Sequence, residues 1–274
     1  MKEMSLKDVQ RVSLDIMKHF HSFCVENDIK YSLGYGTLIG ALRHKGFIPW
    51  DDDIDVVMMR KDFDRFCEIY KDSSSYKLFS FNRRNHYAPI ARLCEMEKTF
   101  VKTGTPLFTE SCGVWIDIFP FDSVVDDKEE FDQKKQFFKK IHDDVFQCRV
   151  EMRRWDGGVK EALHIKSFVY WLLHVKKARA SIWEVVKYQN DCCISYSNEN
   201  SLMMSELAFP LYIDKDYVKK SVFNDVVDVS FEGLSFKAMK GYDEWLKNIY
   251  GDYMTPPPIE MQKRGHSRHI YYWK

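Results

Sequence analysis

The sequence predicts an α+β fold, with a β-sheet core flanked by helices and a helical segment in the middle of the chain. Three observations carry that expectation. Val9, Val12, Ile16, Phe20 and Phe23 recur at helical spacing behind a Ser5/Asp8 capping pair. Between residues 76 and 118, the segments YKLFSF, APIARLCE and VWIDIFPF each show the partial alternation of strands. From residue 128 to about 150 the pattern is that of a long charged helix.

Taken in order, the first helix ends near Asn27. Residues 31–35 read as a short strand and 37–44 (TLIGALRH) as a short helix, with Gly46 as its stop. Residues 53–59 alternate carboxylate and apolar side chains, then become wholly apolar, which suits a buried strand with an exposed start. Residues 61–70 are helical again. In the C-terminal third, a helix at 242–250 stops at Gly251. Pro256, Pro257 and Pro258 follow, where neither a helix nor a central strand continues. The chain contains no internal repeat. Residues 1–274 are expected to form a single domain: a core at 1–125, a helical segment at 126–200 and a C-terminal part at 201–274.

Composition narrows the function. The 274 residues are 45% hydrophobic and 30% charged, as in a globular protein with ample core. Lysine plus arginine equals aspartate plus glutamate, 41 each, so no basic excess supports a nucleic-acid partner. MKEMSLKDVQ has no apolar region of a secretory signal, and the longest apolar run, 168–175, is too short to span a bilayer. Seven cysteines follow no disulfide or zinc spacing, which suggests reduced thiols and a cytoplasmic protein. Aromatic residues, at 15%, exceed what the core requires.

Chemistry concentrates between residues 34 and 55. Gly34, Gly36, Gly40 and Gly46 precede Asp51, Asp52, Asp53 and Asp55. Four like charges at the lip of a buried element are costly unless solvent or a cation neutralises them. On a strand, Asp51, Asp53 and Asp55 would share one face and Asp52 would point away. Carboxylates so placed can flank divalent ions, and their hard oxygens favour Mg²⁺ or Mn²⁺ over zinc. Gly34-Tyr35-Gly36-Thr37 lies between a strand and a helix, where backbone can approach a phosphate closely. Arg43, His44 and Lys45, at the far end of that helix, can meet phosphate charge. Asp117, alone in an apolar strand, needs a partner, and a metal shared with Asp53 and Asp55 would be one. An aspartate run, a glycine loop or a lone strand carboxylate each has a plain structural explanation; their combination favours a metal–phosphate site.

The segments GYGTLIGALRHKGFIPWDDDID and GVWIDIFPFD, with YGDYMTPPPIEMQKRGH near the C-terminus, resemble the LicD family. Its members are similar to nucleotidyltransferase-fold enzymes and include phosphocholine transferases and the fukutin-related proteins. The resemblance implies a nucleotidyltransferase-like mixed sheet. It further implies Gly36 and Thr37 as the phosphate loop, Asp53 and Asp55 as paired metal ligands, and Asp51 as their extension. Asp117 would be a third ligand or the base, Arg92 would hold the leaving nucleotide, and His266 would serve the acceptor or diphosphate region. The implied reaction moves a substituted phosphate from CDP-choline or a CDP-alditol to a sugar hydroxyl of a cell-surface glycan, with CMP leaving. A DxD-dependent glycosyltransferase is the alternative enzyme class, although only fifty residues precede Asp51. A nucleotide-binding domain without catalysis is a third reading, disfavoured by the retained aspartates.

Residues 145–189 hold nine lysines and arginines against four acids, interleaved with Phe168, Tyr170, Trp171 and Trp183. A basic, aromatic helix of this kind either packs on the core or rests on a membrane surface. The second option predicts peripheral contact through residues 160–187 with the inner face of the cell membrane, where a lipid-linked acceptor would be met.

Overall fold

The computed structural model describes residues 1–156, 165–262 and 269–274, excluding the side chains of residue 151 and of 153–180. It has the mixed α and β architecture expected. The main path of a seven-stranded sheet is ordered β2 (Ser32–Leu33), β3 (Asp55–Met59), β7 (Trp115–Val124), β5 (Ala91–Glu95) and β4 (Tyr76–Ser80). β3 and β7 are parallel, and the other neighbours are antiparallel. The far end of β7 pairs with β8 (Met203–Ser205), which pairs with β9 (Val218–Lys219). All ten residues of β7 are buried, so it reads as one apolar run interrupted by two aspartates. One of these, Asp122, is held by a two-pronged ion pair from Arg60 at 2.7 and 2.8 Å.

α1 (Leu6–Glu26) forms as expected. Ser5 Oγ accepts from the Asp8 N–H and the Asp8 carboxylate accepts from the Ser5 N–H, while Val9, Val12, Ile16 and Phe20 are buried. Phe20 meets Phe66 of α3 (Arg60–Ile69) edge to face. The next elements depart from the pattern. The strand at 31–35 is cut to two residues because Tyr35, at φ 42°, already turns the chain into α2 (Tyr35–Ile39). The single helix expected at 37–44 is two pieces, α2 and a π-helical turn at Gly40–His44. It stops one residue before Gly46, at left-handed Lys45. β3 starts at Asp55, not Asp53, since the Asp55 N–H donates to the Thr37 hydroxyl at 2.8 Å and residues 51–54 stay irregular.

The expected helical segment is a pair of packed helices, α4 (Lys128–Asp156) and α5 (Ile165–Tyr196). Val145 and Met152 of α4 pack with Ile182 and Val186 of α5, and Trp183 packs on Phe81 and Tyr87. Lys187 is exposed and paired with Asp191; the side chains at 160–180 lie outside the described residues. β10 (Val226–Phe231) and β11 (Leu234–Met239) form a hairpin that the sequence pattern did not reveal, with Glu232 and Gly233 both at positive φ in its turn. α6 (Tyr242–Tyr250) stops at Gly251 as expected. β1 (Lys2–Glu3), β12 (Ile270–Trp273) and β6 (Thr99–Lys102) join the chain ends in a second small sheet. The largest core cluster draws on residues from Met4 to Tyr271 and takes in many of the rings. All seven cysteines are free. Among the described residues, no helix is long and apolar enough to cross a membrane.

Candidate active site

Strand register assembles the site. Asp55 on β3 stands opposite Asp117 on β7, and Asp117 stands opposite Arg92 on β5. One row across three strands therefore carries two carboxylates and a guanidinium. One carboxylate oxygen each from Asp53, Asp55 and Asp117 lie within 4.8 Å of one another. Asp51, Asp52 and Asp53 form a second such group, joined to the first through Asp53. Asp52, expected to face away, is thus part of the cluster. The alternation rule fails there because residues 51–54 are a loop, not strand. An all-carboxylate oxygen set fits Mg²⁺ or Mn²⁺.

Asp117 is held at both carboxylate oxygens. Its Oδ1 accepts from Arg92 Nε at 2.5 Å, and its Oδ2 accepts from Trp115 Nε1 at 3.1 Å. Arg92 lies against the Trp115 and Phe108 rings, 5.0 and 5.7 Å from their centroids. Its Nη1 reaches His86 Nε2 at 3.4 Å. His86 is fully buried, and its Nδ1 faces the Ile90 carbonyl at 3.0 Å. Burial first, then the neighbouring Arg92, hold it well below the usual imidazole range. His86 is therefore neutral, with Nδ1–H donating to the carbonyl and Nε2 left to accept from Arg92.

Gly36 permits the close approach of the first aspartate. A Cβ there would stand 2.8 Å from Asp51 Oδ2, so any side chain would push that carboxylate aside. Thr37 is buried, and its hydroxyl is engaged with the start of β3. Tyr35, in a backbone region few side chains adopt, is held between Phe119, Tyr212 and Trp245 at centroid distances of 5.6, 5.5 and 5.0 Å.

These groups open on a cleft of about 430 Å³ lined by Asp51, Asp53, Asp55, Asp117, Gly36 and Arg92 among the expected residues. Arg43 and Lys45 are not in its lining. Arg43 donates instead to the Tyr253 carbonyl at 2.8 Å, and the Lys45 carbonyl accepts from the Glu232 N–H. His266 lies outside the described residues. Sequence reasoning missed His86, Trp115 as a donor to Asp117, the rings Phe209, Tyr212 and Tyr250, and Arg149 of α4, all but His86 in the lining. Arg149 did leave a signal: it falls on the buried stripe of its helix, one turn from Val145 and from Met152.

The segment that carries Tyr212 also holds a buried acidic pair. Glu206 and Asp216 are buried, and the Glu206 N–H donates to Asp216 Oδ2 at 3.1 Å. Trp245 Nε1 donates to Asp216 Oδ1 at 2.6 Å. Burial pushes Asp216 up to about 7 and Glu206 well above the carboxylate range. These residues anchor the segment that carries Phe209 and Tyr212 into the cleft.

Comparison with known proteins gives two kinds of match. Residues 28–152 match the family model described as "LicD/FKTN/FKRP, nucleotidyltransferase domain". The whole chain is similar to the lipopolysaccharide cholinephosphotransferase LicD of Haemophilus influenzae, at 33% identity over 99% of both chains. Shorter stretches resemble uncharacterised proteins of Rickettsia typhi, 41% identical over 25% of this chain and 22% of that protein, and Rickettsia prowazekii, 49% identical over 17% and 18%.

Proposed function

Because the chain belongs to the LicD family, we propose that it is a metal-dependent transferase moving phosphocholine from a CDP-linked donor to a sugar hydroxyl of a cell-surface glycan precursor, releasing CMP. The observation that carries this reading is the Asp55–Asp117–Arg92 row at the cleft, completed by Asp53. The full-length similarity to a lipopolysaccharide cholinephosphotransferase supports the phosphocholine group and the glycan acceptor, which would be lipid-linked.

Asp53, Asp55 and Asp117 would hold Mg²⁺ or Mn²⁺, with Asp51 beside them. Bound there, the ion would supply neutralising charge to the donor's phosphate oxygens. The residues of the chain do the rest. Arg92, oriented by Asp117 and by its two flanking rings, presents fixed positive charge to the departing nucleotide phosphate. Neutral His86 keeps Arg92 in place without competing for the anion. Gly36 leaves the backbone bare where a phosphate approaches, and Thr37 fixes the start of β3 beneath it. The grip of Arg92 and Trp115 on both oxygens of Asp117 favours a ligand over a base, so a neighbouring carboxylate takes the acceptor's proton. The acceptor oxygen attacks phosphorus in line as CMP leaves, and positioning and charge lower the barrier. The ring faces of Phe119, Phe209 and Tyr212 suit a trimethylammonium group.

The test is CMP release from CDP-choline with Mg²⁺ and the purified chain, read by mass spectrometry, with nucleotide binding as the control. Release is expected to cease with EDTA and to fall about 10³-fold or more in Asp53→Ala. Turnover of a UDP- or GDP-sugar, with none of any CDP-linked donor, would replace this reading by a glycosyltransferase.

A further inference from the structure

One wall of the cleft is built by a helix, α4, outside the sheet. α4 turns Val145, Arg149 and Met152 inward at i, i+4 and i+7, one face of a helix. Val145 and Met152 do what that face is for, packing with Tyr87, Ile182 and Val186. Arg149 lies between them, 6% exposed, and lines the same cleft as the aspartates. Its Nε is buried without a hydrogen-bond partner. Its guanidinium lies near the Phe146 ring, 5.7 Å from the centroid. Among the described residues, the charge that bears on it is another cation, Arg92. Burial, and then that repulsion, bring its pKa down to about 10, which still leaves it charged at neutral pH.

A buried guanidinium with no carboxylate beside it is costly, and a buried donor with no acceptor adds to that cost. Arg92 shows how the fold partners a buried arginine: its Nε is given to Asp117, and rings cover it. Among the described residues, Arg149 receives a single ring, Phe146, and no carboxylate. The missing partner must carry negative charge, offer several acceptor oxygens and enter through the cleft. A phosphate group meets all three conditions, and the guanidinium fork matches its oxygens.

We propose that Arg149 is an anion-binding residue of this cleft, which takes phosphate oxygens of the nucleoside diphosphate donor from the side opposite the strands. The identity of the donor rests on the function proposed above; the binding of a phosphate by Arg149 does not. The helical segment thereby gains a role in the site: it brings a cation to a cleft whose strand-borne charges are mostly acidic.

The test is calorimetric titration of the full chain with inorganic diphosphate in EDTA, and with CDP in Mg²⁺, for wild type, Arg149→Met and Arg149→Lys. Thermal melting of each protein runs alongside. Wild type is expected to bind both probes, Arg149→Met to bind at least tenfold more weakly, and Arg149→Lys to fall between them. The melting temperature of Arg149→Met is expected to hold or rise, since an unpartnered buried cation is removed. If Arg149→Met does not fold, the Lys variant alone decides, with weaker diphosphate binding at an unchanged melting temperature as the supporting result. Equal affinity in wild type and variants overturns the proposal. So does absence of diphosphate binding by wild type, or a fall in melting temperature with binding intact. If wild type turns over no CDP-linked donor while diphosphate binding still depends on Arg149, the anion site stands and the donor assignment falls.

Discussion

The two walls of the cleft treat a buried arginine in opposite ways. On the strand wall, Arg92 is given a carboxylate, a neutral histidine and two aromatic faces. On the helical wall, Arg149 is more deeply buried, with no acceptor at its Nε and, among the described residues, another cation as its charged neighbour. A charge that the protein itself neutralises holds the site in shape. A charge that it leaves unmatched is matched by what the site binds. The contrast separates a cation fixed in place by the protein from one whose partner is the ligand, and it predicts that the two arginines respond differently to the same substitution.

Arg92→Met offers the sharpest break. It leaves Asp117 buried without its guanidinium, and the expected cost is about 3–5 kcal/mol of folding stability by urea denaturation. Arg149→Met is expected to cost nothing comparable. Similar losses for both would dissolve the distinction between the walls.

The buried Glu206–Asp216 pair sharpens the comparison through pH. Asp216 has a folded-state pKa of about 7, raised by burial above its unfolded value. Its contribution to stability is therefore fully present below about pH 4 and is lost as pH rises through 7. Relative to wild type, Asp216→Asn should gain about 2–3 kcal/mol between pH 5 and pH 8, read as the difference between paired urea curves. A constant difference across that window would mean that Asp216 is ionised throughout.

The smallest effect concerns the joint between the glycine loop and β3. Thr37→Val leaves the Asp55 N–H without its acceptor, for an expected loss of about 1–2 kcal/mol. Thr37→Ser keeps the hydroxyl and should lie close to wild type. Equal stability of the Val and Ser variants in thermal melts would show that this hydrogen bond does not hold the strand start.

Much of the strand wall is legible in the sequence. Asp53, Asp55 and Asp117 stand out because carboxylates in an apolar strand context require a partner, whereas Arg92 is singled out only by the family resemblance. The errors are equally instructive. Asp52 is drawn into the cluster because the Asp55 N–H bonds to Thr37, far away in sequence, and the strand begins there. Arg43 looked like a phosphate contact on charge alone, yet it ties the π-helical turn to the Tyr253 carbonyl. Arg149 is one of nine basic residues in a segment whose composition leaves core packing and membrane contact both open, whereas its spacing from Val145 and Met152 places it on the buried stripe. Composition counts charges without regard to face; periodicity assigns the face.

The sequence by itself determined what depends on neighbours along the chain. That includes the Ser5/Asp8 cap and apolar stripe of α1, the glycines before the aspartates, and Asp117 in the apolar run of β7. Capping, helical period and like-charge crowding act over a few residues, so they leave a local mark. Only the tertiary structure decided that Asp55, Asp117 and Arg92 form one row, that Phe209 and Tyr212 close the cleft, and that α4 aims Arg149 into it. Strand register and helix docking are set by packing between segments far apart in the chain, and no local pattern encodes which pairings satisfy the whole core at once.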